Sequence, residues 1–219
     1  MDGASRSAQR ILLVWLTLIV AVAFSLRIAP VLLHGRHAVL FMDSDSWGYH
    51  RLASNLLAGH GYSWEQQPPY TPNLYRPPGL PILLAGLYFM TGPSIAAAIA
   101  LQAVVSATIV LATFFFIRTL SGSRKVAVAA AALLALDPVA IQYSNILLTE
   151  TYTSLLILVA GGCVWKYRQT ASPAWLVAAG GILAIGILFH PALLFLPLLL
   201  VLLPLLARRT RTWRQAGVA

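Results

Sequence analysis

Long apolar runs alternate with short polar breaks along the chain, and the run lengths predict its elements. A helix that crosses a bilayer needs about 20 mostly apolar residues. Residues 11–33 and 94–117 meet that length without interruption. Two more apolar runs follow at 126–148 and 151–165, and Asp137-Pro138 breaks or kinks the first of them. The block 174–206 would be about 50 Å long as one helix, too long for a single crossing. His190-Pro191 lies at its centre. Proline removes a helix hydrogen bond and ends or kinks a helix, so the block divides into runs at 174–189 and 192–206. The pattern predicts an all-α, polytopic membrane helix bundle of about six spans, forming a single membrane domain over residues 1–219.

The connection at 34–93 is the longest polar one, and it is expected to bear amphipathic helices. Over Ser46–Ala58, Trp47, Leu52 and Leu56, with Ala53 and Leu57, fall at helical spacing. Gly59 and Gly61 supply a stop. Such a helix lies on a membrane surface. Leu80–Met90 is apolar but too short to cross, which suits an interfacial or re-entrant piece. Pro77, Pro78 and Pro81 fix how the chain enters it. The aromatic side chains of this connection, from Trp47 to Tyr75, argue against disorder.

Composition strengthens the membrane reading. The chain is 59% hydrophobic and 10% charged, against about 25% charged in soluble domains. A net charge of +9 raises the question of nucleic acid. The placement of the charges answers it in the negative. Arg27, Arg36, Arg51 and Arg76 fall on or near one side of the expected bundle, and the other eleven of the 15 basic residues fall on the opposite side. That asymmetry puts both termini in the cytoplasm of a multi-pass plasma (inner) membrane protein. The basic ends then serve as topological signals and contacts for membrane lipids. Ala21-Val22-Ala23 mimics a signal-peptidase site, but the apolar run continues to Leu33, which favours an uncleaved anchor. The single cysteine, Cys163, excludes a disulfide framework and a cysteine zinc site, and its apolar surroundings read as core.

The carboxylates are few and unevenly placed. Of six, only Asp2 is cytoplasmic in this topology; Asp43, Asp45, Glu65 and Glu150 fall outside, and Asp137 lies in or near the outer half of the third run. Asp45 stands at the start of the loop helix, where an anion meets unsatisfied N–H groups and the positive end of the helix dipole. Capping alone would account for it, and Asp43 reads equally well as a turn residue. Thr149 is the expected N-cap of the fourth run, with Glu150 in its first turn. A carboxylate there is costly unless solvated or paired. The five histidines show no metal-ligand spacing, although His50, beside Tyr49, is a candidate phosphate contact.

Four segments, in this order, carry a resemblance: "DSWGYHRLASNLLAGHGY" (Asp45–Tyr62), "LYRPPGLP" (Leu74–Pro81), "ALQAVVSAT" with Gln102, and "PVAIQYSNILLTE" (Pro138–Glu150). Together they resemble the lipid-linked-sugar-dependent glycosyltransferases of the GT-C type, in the branch of bacterial mannosyltransferases and aminoarabinose transferases. The resemblance covers residues 11–165 and only the N-terminal membrane module of such proteins. It therefore implies either a fragment or a compact relative needing a partner subunit that supplies the missing spans.

The resemblance implies a polyprenyl-phosphate-linked sugar as donor and inverting transfer on the extracytoplasmic face. Phosphate leaves well without a proton, so one base suffices, in contrast to the carboxylate pair of a hydrolase. By motif position the base is Asp45, with Asp43 as substitute or as a like-charged neighbour that raises the pKa of Asp45. Arg76, and second Arg51, would hold the departing phosphate through the planar guanidinium fork. Tyr49, Tyr75 and Trp47 would stack on sugar or lipid, or belong to the interfacial aromatic belt. Glu150 and Gln102 would line the site, Glu150 bonding a sugar hydroxyl or an arginine. No cofactor is certain; a divalent metal held by Asp43, Asp45 or Glu150 is the minority reading. Two rivals stand beside the enzyme. One is a non-catalytic membrane protein that binds lipid-phosphate or acts as an assembly subunit. The other is a small transporter, for which only Gln102 and Asp137 offer mid-bilayer polarity. The catalytic reading requires Asp45, Arg76 and Glu150 to meet at one outward cavity.

Overall fold

Apolar helices gain little from hiding from lipid, so their association depends on small side chains that let backbones approach. A computed structural model describes residues 3–34 and 42–197 of the chain, and it contains such a stripe. Helix α5 (Arg124–Leu136) buries Ala127, Ala131 and Ala135, one per turn. It packs against α1 (Gly3–His34) and α4 (Ile95–Ser121) around Leu16, Ala23, Val110 and Phe114. Among the described residues, Gln9–Leu33 within α1 and the whole of α4 are long and apolar enough to cross a membrane.

Local signals set the helix ends. Ser94 caps α4 by accepting a hydrogen bond from the Ala97 amide, and Gly122 closes it in the left-handed conformation, φ 67°. Glycine adopts that conformation without steric cost. Ser123 then caps α5 through the Val126 amide. Asp137 ends α5 and caps the short α6 (Pro138–Tyr143), accepting from the Val139 and Ala140 amides. The break expected at Asp137-Pro138 is present, and the chain is non-helical from there to α7 (Glu150–Thr170), apart from α6. Helix α8 (Ala174–Phe189) ends at His190, whose ring accepts from the Ala192 amide, and a 3₁₀ turn follows at Pro191–Phe195. Helices α7 and α8 share a small core of Ala160, Cys163, Ala179 and Leu183. Most of the run expected at 192–206 lies outside the described residues, as do 35–41 of the connection.

The polar connection folds into α2 (Ser44–Leu57) and α3 (Gly79–Thr91), which pack on each other at one end of the bundle. Helix α2 starts two residues earlier than its pattern predicts, because the cap is Asp43 and not Asp45. The Asp43 carboxylate accepts from the Ser46 amide at 2.7 Å. Its buried face also differs from the expected one: Ser46, Gly48, Tyr49, Leu52 and Ala53 are buried, whereas Trp47 and Leu57 are exposed. The reason is the partner. Tyr49 and Ala53 join Leu80, Leu84 and Tyr88 of α3, with Ala98, Leu147 and Tyr152, in one cluster. Gly79 allows the close seating of α3 on α8: a Cβ there would stand 2.7 Å from the Leu188 carbonyl oxygen.

Candidate active site

Helical spacing puts Asp45 and Tyr49, one turn apart on α2, on the same face. Arg76 reaches that face from the segment leading into α3. Its Nη2 donates to Asp45 Oδ1 and forms an ion pair with it. The guanidinium carbon also lies 5.3 Å from the centre of the Tyr49 ring, within the range of a cation–π contact. The pair is half-open to solvent, with 44% of the Asp45 side chain and 25% of the Arg76 side chain exposed. Its hydrogen bond to Arg76 holds the Asp45 carboxyl below the usual carboxylate range.

Two residues absent from the sequence-predicted set hold Arg76 in place. Asn73 is buried, and its Oδ1 accepts from the Tyr75 and Arg76 amides at 3.1 and 3.0 Å. The Tyr62 hydroxyl donates to the Arg76 and Pro77 carbonyls at 2.9 and 3.1 Å. The Asn73 amide in turn donates to the Tyr62 carbonyl at 2.7 Å. Burial pushes the Tyr62 phenol up to about 12, so it stays a donor at neutral pH. Asn73 carried a readable signal, because asparagine caps the backbone two and three residues ahead in Asx turns. Tyr62 carried none beyond its place in a motif.

The other predicted residues scatter around this centre. His50 Nδ1 is 2.9 Å from the Tyr88 hydroxyl, and burial, then the charge of Arg51, lower its pKa. Arg51 itself is exposed. The Tyr75 ring is 85% exposed and stacks on Trp64 at 6.4 Å, while the buried Tyr49 ring is taken up by Arg76. Gln102 is fully buried, and its Nε2 donates to the Tyr143 and Ile146 carbonyls. It ties α4 to the end of α6 and the chain that follows.

Glu150 lines a cavity of about 440 Å³, together with Arg27, Ser106, Asp137, Tyr143 and Thr151. Asp45 and Arg76 do not line it. The three groups expected to meet at one cavity therefore divide into an Asp45–Arg76 pair and a separate Glu150 wall. Thr149 stands between them: its side chain interacts with Tyr49 and lies 3.5 Å from Glu150 Oε2.

Arg27, read from the sequence as one of four basic residues on or near the outer side, lies inside the bundle. It is fully buried. Nε donates to Ser106 Oγ at 2.7 Å, Nη1 to the Ala23 and Ala135 carbonyls, and Nη2 to the Leu134 carbonyl at 3.0 Å. Leu134 and Ala135 end α5, where a cation complements the dipole and the unpaired carbonyls.

The three carboxylates named for a divalent metal do not meet. Asp43 is committed to its cap, Asp45 to Arg76, and Glu150 to another cavity. Among the described residues no group of three or more His, Cys, Asp or Glu is placed to hold an ion.

Apolar helices of spanning length, with an acid–guanidinium pair on helices folded over one end, define a membrane protein whose polar chemistry is gathered at that end. The particular family follows from the chain itself. The dolichyl-phosphate-mannose-protein mannosyltransferase family matches residues 75–218, well over half of the chain, and the chain belongs to that family. It is thus a glycosyltransferase-type membrane module of the GT-C kind. The match includes Tyr75, Arg76, Gln102 and Glu150, and Asp45 lies before it. No curated protein and no solved structure matches the chain.

Proposed function

We propose that the chain moves a sugar from a polyprenyl-phosphate donor to an acceptor on the extracytoplasmic face of a membrane that it crosses about six times. Asp45 is the base and Arg76 the phosphate contact. The observation that carries this reading is the Asp45–Arg76 pair, set on Tyr49 and held from behind by Asn73 and Tyr62. The family supports the class of reaction and a lipid-phosphate sugar as its donor.

The chemistry follows from the groups in place. An acceptor oxygen or nitrogen attacks the anomeric carbon from the face opposite the phosphate, forming the new glycosidic bond with inversion. The bond between the anomeric carbon and the phosphate oxygen breaks, and its electron pair leaves with the lipid-phosphate. Arg76 neutralises the charge gathering there, a task suited to its planar fork. Asp45 takes the acceptor's proton, a role worth typically 10²–10⁴-fold in rate. The meeting of Asp45, Arg76 and Glu150 at one cavity, expected from the sequence, is not met; the reading therefore rests on the Asp45–Arg76 pair alone, with Tyr75, Trp47, His50 and Arg51 bordering the approach and Glu150 left outside the step.

The test is transfer of a radiolabelled hexose from polyprenyl-phosphate-hexose, by the full chain in liposomes, to a lipid or glycan acceptor. Transfer that falls at least tenfold in kcat/KM on Arg76→Gln supports the reading. Binding of the donor without transfer, by a well-folded chain offered both acceptor classes, favours the non-catalytic lipid-phosphate protein instead.

A further inference from the structure

We infer that Asp45 occupies the phosphate's place on Arg76 in the unloaded protein, and that the incoming lipid-phosphate displaces it and thereby frees it to act on the acceptor. This rests on the reading of the pair as base and phosphate contact, and it adds an order of events to that reading.

Three features of the geometry lead there. First, the guanidinium stays where it is without Asp45. The Arg76 backbone is fixed by Asn73 and Tyr62, and its side chain lies over the Tyr49 ring. Second, Asp45 is held lightly. Among the described residues its carboxylate has one hydrogen-bond partner, Arg76, because the helix cap is supplied by Asp43. The pair is partly exposed, and exposed pairs are worth little. Third, the two anions want the same donors. The donor's phosphodiester carries one charge, as the carboxylate does, but presents two oxygens to the planar fork where Asp45 uses one, and the lipid-phosphate monoester left after transfer carries more charge still, so phosphate wins the exchange.

The exchange has a consequence for order. A carboxylate bound to Arg76 is a poor proton acceptor, and its lowered pKa expresses that. An acceptor that reaches the unloaded protein meets an inactive base, and one that arrives after the donor meets an active base. The departing lipid-phosphate lets the pair close again.

The test is binding of farnesyl phosphate to the full chain in detergent, measured for wild type, Asp45→Asn, Asp43→Asn and Arg76→Gln. Asp45→Asn removes the competitor and tightens binding about fivefold, the scale of an exposed charge pair. Asp43→Asn removes the same charge two residues away, keeps a good cap, and changes binding less than about twofold. Arg76→Gln weakens binding about tenfold or more. Inorganic phosphate shows the same ranking at lower affinity, because the contest is for phosphate oxygens. Should the Asn variant of Asp45 fold poorly, Asp45→Ser removes the same carboxylate.

Each other outcome has a meaning. Unchanged or weaker binding by Asp45→Asn, with Arg76→Gln still weakening, overturns the displacement and leaves the phosphate contact standing. Equal tightening by both Asn variants overturns it too, as a general charge effect. The ranking with inorganic phosphate alone overturns the lipid as the competing anion. Binding untouched by Arg76→Gln overturns the underlying assignment of Arg76.

Discussion

Two arginines on this chain live in opposite circumstances. Arg27 is fully buried among α1, α4 and α5, and four of its N–H bonds go to backbone carbonyls and a serine hydroxyl. Arg76 sits at the α2–α3 end, partly open, facing a carboxylate and an aromatic ring. The region around Arg27 uses charge to complete a helix end, and every contact there is made by the chain itself. The region around Arg76 keeps its charge on a partner that an outside anion can replace. The lesson concerns availability: a buried ion with satisfied donors is architecture, and a positioned ion on an exchangeable partner is chemistry.

Substitutions that move one region and spare the other sharpen this contrast. The largest effect on stability is expected at Arg27. Arg27→Met leaves the ends of α5 and Ser106 without their partner, and buried unpaired acceptors cost about 1–3 kcal/mol each. The melting temperature in detergent should drop strongly, by an amount equivalent to about 3 kcal/mol or more. A melt equal to wild type would show that the α5 end finds other partners and would break the contrast. Gln102→Leu comes next. It removes donors from the Tyr143 and Ile146 carbonyls and should cost about 1–3 kcal/mol, with a loosened α6–α7 segment visible as faster hydrogen exchange.

Smaller effects are expected at the α2–α3 end. Asp43→Ala should cost about 1 kcal/mol through the lost cap, and Asp43→Asn nearly nothing, as read from thermal melts. The pH dependence has a definite sign. A carboxyl whose pKa is lowered by folding contributes stability above its unfolded value and loses it only as pH falls through the folded one. The Asp45–Arg76 contribution should therefore be unchanged from pH 7 down to about 5 and disappear in more acid solution. Melts of wild type and Asp45→Asn should converge there. A difference that already vanishes near pH 6 would contradict the pairing.

Much of this architecture was legible from run length and punctuation. The Asp137-Pro138 and His190-Pro191 breaks and the start of α7 at Glu150 were within reach of local rules, although Thr149 makes no side-chain cap there and α4 runs to Ser121, past the expected end at 117. The buried face of α2 was legible only in part: Leu52 and Ala53 are buried as expected, whereas Ser46, Gly48 and Tyr49 are buried and Trp47 exposed because the partner, α3, lies far along the chain. The cap fell one acid early for the same local ambiguity that two aspartates in three residues create. In the site, Asp45 and Arg76 stood out by residue type and motif, whereas Asn73 was passed over although its Asx pattern could have marked it. The depth of Arg27 was hidden, since a basic residue near the end of an apolar run reads as a topological flag until the carbonyls of α5 are seen beside it.

The most direct test of the central claim is the turnover of Asp45→Asn, measured with its melting temperature in the same preparation. The account predicts sugar transfer reduced by at least about 10²-fold, a melt close to wild type at pH 7, and donor still bound. Transfer at the wild-type rate by a folded Asn variant would contradict it, and would move the base away from the α2–α3 end.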